Sequence, residues 1–139
     1  MQFLQPPEWA RAKGFSQGIS CTGRLVFIAG QVGSTGQGEW KEKSFGGQFR
    51  QCLANILAVL AQAGGRPEHI VRLAWFIIDK DEYFAALKDI GAAYRELMGR
   101  HYPTMTVVQV SGLVDAQARL EIEATAVIEE DARGVEAAI

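Results

Sequence analysis

Residues 24–32 (RLVFIAGQV) are apolar at both parities, with Leu25 and Phe27 on one side and Val26 and Ile28 on the other. Such a run predicts a strand covered on both faces. After Ser44 the period changes: Phe45, Phe49, Cys52, Leu53, Ile56 and Leu60 recur at three and four residues. This predicts an amphipathic helix with Ser44 as its N-cap. Residues 70–78 again predict a strand, with Arg72 its only charge. A second helix is expected from a cap at Asp81, with Tyr83, Leu87, Ile90, Tyr94 and Met98 on its stripe and a stop near Gly99. Pro103 marks the mouth of a strand over 104–113, and 119–128 predicts another, the two read as a hairpin joined by VDAQA. A short extra strand is expected around 19–22. The glycine-rich 33–38 (GSTGQG) predicts a flexible loop, and the tail after Glu129 is expected to fray or to dock as a short helix.

This order predicts an α+β domain: a mixed sheet carrying two helices on one face. The strands are nonetheless apolar on both sides. With the helices used up on one face, the other is most simply covered by a second copy of the chain, so an obligate homo-oligomer is expected. In 119–128, Leu120, Ile122, Ala124 and Ala126 share one face while Glu121 and Glu123 share the other. In 104–113 the expected split puts Thr106 and Val108 under the helices, and Met105, Val107, Gln109 and Ser111 beside the glutamates. That polar patch reads either as a solvated or hydrogen-bonded sheet margin or as a ligand cleft with a carboxylate poised for acid–base work.

Composition narrows the classes. The 139 residues suffice for one domain (1–139, with a core of about 12–128 between a flexible N-terminus and the tail), and 48% hydrophobic with 22% charged is an ordinary globular balance. The net charge of -2, with scattered basic residues, argues against a nucleic-acid partner. No apolar run reaches membrane-spanning length, and the first residues lack a signal-peptide pattern. Cys21 and Cys52 sit in neither a redox nor a metal spacing, so two buried free thiols in a reducing cytoplasm are expected.

Several ordered stretches carry a resemblance: KGFSQG at 13–18, LVFIAGQVG at 25–33, QCLANILAVLAQAG at 51–64, HIVRLAWFIID at 69–79 and RLEIEA at 119–124. Over about 12–128 the chain resembles the RidA/YjgF (reactive intermediate deaminase) family. The resemblance implies a chorismate-mutase-like fold assembled as a homotrimer, sheets inward and helices outward, with clefts between subunits. It implies hydrolysis of 2-imino acids or their enamine tautomers to 2-keto acids and ammonia, without metal or organic cofactor.

Carried over by position, the resemblance implies Glu121 as the residue that positions the attacking water. It implies Phe15, Ser16, Gly30 and Gln31 as substrate-binding positions, with Phe15 standing where many members have tyrosine. The family's carboxylate-binding arginine falls at Met105, which has neither charge nor donor. Gly91 falls where some members carry asparagine. No arginine among Arg72, Arg100 and Arg119 is expected to substitute, while Tyr102 is expected to shape the pocket and His101 either to reach it as an acid or base or to be structural. Three functions remain open: a divergent cofactor-independent hydrolase of a small imine or enamine; a non-catalytic trimer that binds a small metabolite or partner; and an endoribonuclease or translation inhibitor, which the charge disfavours.

Overall fold

The computed structural model describes residues 1–130; the tail expected to fray or dock lies largely outside the described residues. The elements in chain order are β1 (Gln2–Leu4), β2 (Gly18–Ser20), β3 (Arg24–Val32), α1 (Phe45–Ala61), β4 (Ile70–Ile77), α2 (Lys80–Ala85), α3 (Leu87–Met98), β5 (Thr104–Gln109) and β6 (Leu120–Ile128). The α+β class is as expected. The main sheet runs β3-β6-β4-β5, and β1 and β2 form a separate antiparallel pair. The N-terminus, expected to be flexible, is therefore paired: Phe3 lies opposite Ile19, and its ring meets the edge of His101.

Local chemistry sets the helix ends. The Ser44 side chain accepts from Gly47 N, so the expected cap of α1 is in place, satisfying one of the orphan donors of the first turn. The second helical region is two helices rather than one. Its cap is Asp79, whose Oδ1 accepts from Asp81 N at 2.9 Å, and it breaks at Ala86 before continuing as α3. Gly99 ends α3 with φ of 65°, a backbone region that favours glycine. The 33–38 loop, expected to be flexible, is a hydrogen-bonded turn: Thr35 N donates to Glu39 O, Gly38 N to Thr35 O, and Glu39 N to Thr35 Oγ1.

The expected hairpin does not form. Among the described strands β5 pairs with β4 alone, in parallel, apart from a single bridge from Thr104 to Ser16, and β6 inserts between β3 and β4, antiparallel to both. β6 takes the centre because its inner residues, Leu120, Ile122, Ala124 and Ala126, are apolar and buried; a strand of that kind gains most from a neighbour on each side. Gln48, a buried polar residue of α1, ties down its entry. Gln48 Nε2 donates to Gln117 O at 3.0 Å, and Gln48 Oε1 accepts from Arg119 N at 2.8 Å.

The helices cover one face, where Phe49, Leu53, Ile56 and Leu60 of α1 and Ile90, Tyr94 and Met98 of α3 meet Leu73, Trp75 and Ile122. Phe49 stacks on Trp75 with ring centroids 4.8 Å apart. Cys52 lies in this core, and burial pushes its thiol up to about 12, so it stays protonated and inert. Neither cysteine is paired, though Cys21 is half-buried rather than buried. The opposite face is bare in the single chain: Leu25 is 59% exposed, Phe27 74% and Val108 41%. Among the described residues, no helix is long and apolar enough to cross a membrane.

Candidate functional site

Strand register decides which site residues can meet. Met105 lies opposite Leu73, and Val107 opposite Trp75; these partners are buried under the helices. Met105 and Val107 pack against that same core. Glu121 lies opposite Phe76, and Glu123 opposite Ala74, on the other face with Thr106 and Val108. The expected face assignment of β5 is thus inverted: Met105 and Glu121 are on opposite sides of one sheet. Thr106 and Val108, expected under the helices, are exposed. The physical reason is that alternation separates two sets of residues without saying which set faces the core, and both sets of this strand mix apolar and polar members.

On the helix side, the end of β5 opens into a cavity of about 540 Å³. Its floor is Trp75, Met105 and Val107. α3 supplies Leu87, Ile90, Gly91, Tyr94 and Arg95, a stripe spaced at three and four residues. Phe15 and Tyr102 close it from the loops, and Tyr83 from α2. The cavity is therefore largely apolar and aromatic. The Trp75 Nε1–H is buried and finds no hydrogen-bond partner among the described residues, a cost of about 1–3 kcal/mol for an unmet donor. Tyr94 stacks on Tyr102 with centroids 5.3 Å apart. Its phenol is held above its ordinary range by burial and, secondarily, by Tyr102; it stays protonated and donates to His101 O.

His101 does not line this cavity. Its Nε2 is 2.6 Å from Ile70 O, and a carbonyl can only accept, so this nitrogen carries the proton. The imidazole is a structural tie between the loop and β4. Ser16 is likewise a tie: its N donates to Pro103 O and its Oγ to Tyr102 O, locking the Phe15 loop onto the mouth of β5. Ser16 lines a smaller neighbouring pocket of about 420 Å³ with Phe3 and Phe15.

On the bare face, β3 bulges between Ile28 and Gln31. A Cβ at Gly30 would lie 2.7 Å from Glu121 Oε1, so the carboxylate rests directly over the glycine backbone, and only glycine permits that approach. Glu121 is half-buried and in no ion pair among the described residues, unlike Glu123, which Arg72 reaches at 3.4 Å. Gln31 turns its Nε2 to Ala29 O at 3.1 Å. The expected site residues thus fall into two groups, Phe15, Tyr102 and Met105 at the cavity and Glu121 and Gly30 on the bare face, while Gln31, past the bulge, lies opposite the buried Ile122 and joins neither. Arg95 was missed by the sequence reading, although its position four residues after Gly91 puts both on one helical face.

Comparison with known proteins agrees with this architecture. The family model described as endoribonuclease L-PSP matches residues 7–128. TdcF of Escherichia coli K12, named as a candidate reactive intermediate deaminase, is 32% identical over 127 residues, 86% of this chain and 94% of its own. The structure of YyfB, a Rid-family protein of unknown function from Yersinia pestis, superposes with a TM-score of 0.81 at 29% identity, covering 91% of this chain and 98% of its own. E. coli TdcF with bound serine superposes with a TM-score of 0.65 at 29% identity, covering 93% of this chain and 100% of its own. With nearly the whole folded length matched in sequence and in architecture, the chain belongs to the endoribonuclease L-PSP family, the YjgF/RidA family.

Proposed function

We propose that the chain assembles as a homotrimer through its bare sheet face, that this brings Glu121 of one copy to the cavity of the next, and that the resulting cleft hydrolyses a small imine or enamine without a cofactor. The observation that carries this reading is the separation of the two halves. An aromatic cavity and an unpaired carboxylate lie on opposite faces of one sheet, and the face with the carboxylate exposes Leu25, Phe27 and Val108. A second copy would cover that apolar surface and supply the missing half at once.

The chemistry follows from the groups present. An enamine first tautomerises to its imine. Water then attacks the C=N carbon while Glu121 accepts one of the water's protons, and the nitrogen is protonated in turn. Collapse of the tetrahedral adduct breaks the C–N bond and releases ammonia and a carbonyl product. The apolar cavity would exclude bulk water, and Phe15 and Tyr102 would hold the substrate by ring contact. Family membership, the deaminase name of TdcF and the serine bound in its structure support a small-molecule substrate. The two unpaired cysteines support a reducing, cytoplasmic setting.

Met105 stands where the family resemblance places an arginine, so the common short-chain 2-imino acids are expected to be poor substrates. A second reading rests on the same residue: without a fixed cation at 105, the trimer would bind a metabolite or partner and not turn it over. Enzymatically generated 2-imino acids discriminate the two. The hydrolase reading expects faster release of keto acid and ammonia than the spontaneous rate, and expects Met105→Arg to raise the rate on short-chain substrates. Rates indistinguishable from spontaneous hydrolysis, over short and long substrates and in both proteins, would rule it out.

A further inference from the structure

The cavity has a charge pattern that the vacancy at residue 105 conceals. Its lining includes two cations, Lys13 and Arg95, and no acidic side chain. Neither cation is in an ion pair among the described residues. The acid next along the helix, Glu96, is held by Arg50 through two contacts of 2.7 Å and does not serve Arg95. Gly91 lies one turn before Arg95 on α3. A Cβ at 91 would lie 3.2 Å from Arg95 Nη1, so the guanidinium folds back over the bare glycine toward the cavity wall. Any other side chain at 91 would crowd it there.

We infer that Arg95 is the anion-binding group of this site, moved from the mouth of β5 to the facing turn of α3, and that the substrate is a 2-imino acid with a large apolar or aromatic side chain. The inference rests on reading the cavity as the substrate site and deepens that reading. Arg95 offers a planar fork of donors to a carboxylate, with Lys13 as a second positive charge on the same lining. The substrate's apolar body would lie on Met105, Val107 and Leu87, under Phe15. Methionine suits that contact because its thioether adapts to irregular apolar shapes. A cavity of about 540 Å³ matches a ligand much larger than a three-carbon acid.

Calorimetric titration of the full-length protein tests this with stable 2-keto acids, which carry the same carboxylate. Phenylpyruvate is expected to bind the wild type more tightly than pyruvate does. Arg95→Gln should weaken phenylpyruvate roughly 10- to 100-fold, as loss of a charged hydrogen bond does. Arg95→Lys should recover part of that loss, and the neutral ketone phenylacetone should bind wild type and Arg95→Gln alike. Arg95 is exposed on the helix surface, so the glutamine variant is expected to fold. The inference is overturned if Arg95→Gln leaves phenylpyruvate affinity within twofold, if it weakens phenylacetone equally, or if wild type binds pyruvate as tightly as phenylpyruvate or neither at all. Arg95-dependent binding in a protein that hydrolyses no imine would instead sink the hydrolase reading, and the imino-acid substrate with it, and leave Arg95 as the anion-binding group of a ligand site.

Discussion

Replacing Phe27 by lysine is expected to convert the assembly into single chains of 15.2 kDa without unfolding them. Phe27 is the one aromatic of β3, is 74% exposed, and lies outside its own chain's buried core. Losing the ring therefore removes little from the fold of the monomer. In an assembly through the bare face, however, Phe27 and Leu25 would be buried against a neighbour. A lysine there would carry an ammonium into the interface without a partner, at a cost of several kcal/mol per copy. Light scattering should show the mass fall threefold while the far-ultraviolet circular dichroism stays that of the wild type. Because the proposed cleft would need two copies, hydrolysis should vanish with the mass. An unchanged mass would mean that this face is not where copies meet.

The second large effect is expected from Glu121→Gln. The substitution keeps the shape of the side chain over Gly30 and removes its ability to accept a proton. Loss of a positioned general base lowers rate by roughly 100- to 10,000-fold. Substrate affinity should change far less, since in the proposed cleft the cavity that holds the substrate would belong to another copy and be untouched. The expected signature is a fall in kcat with KM nearly constant. Stability should hold as well, because Glu121 pairs with no cation among the described residues and the variant breaks no salt bridge. Equal kcat in the two proteins would remove Glu121 from the mechanism.

Much of this was legible in the residues. The 3.6-residue spacing from Phe45 to Leu60 gives α1, and Ser44 caps it as a serine before an apolar run does. The two-sided apolar pattern of β3 foretold the bare face. What was not legible depends on long-range pairing. Chain order suggested that β5 and β6 pair, yet the burial of β6 places it between β3 and β4. With that neighbour wrong, the face of β5 was free to be inverted, and Met105 was set beside Glu121 when the sheet separates them. Asp79 and Asp81 are both good caps by type; the backbone turn before α2 selects Asp79. Arg95 was hidden differently, since an arginine on a helix is ordinarily a solvated charge, and only the bare Gly91 one turn away shows it folded toward the cavity.

The central claim is that each site takes its cavity from one copy and its carboxylate from another. Mixing two disabled proteins tests it most directly. Gly91→Phe is expected to fill the cavity and leave Glu121 intact; the Cβ at 91 would meet only the flexible end of Arg95 within 4 Å. Glu121→Gln does the reverse. Each is expected to be inactive alone. When the two are refolded together in equal amounts, random assembly gives about a quarter of the sites an intact cavity from one parent and an intact carboxylate from the other. The account predicts hydrolysis restored to about that fraction of the wild-type rate in the mixture. Activity no greater than the sum of the separate parents, in a mixture that mass measurement shows to contain mixed oligomers, would contradict it.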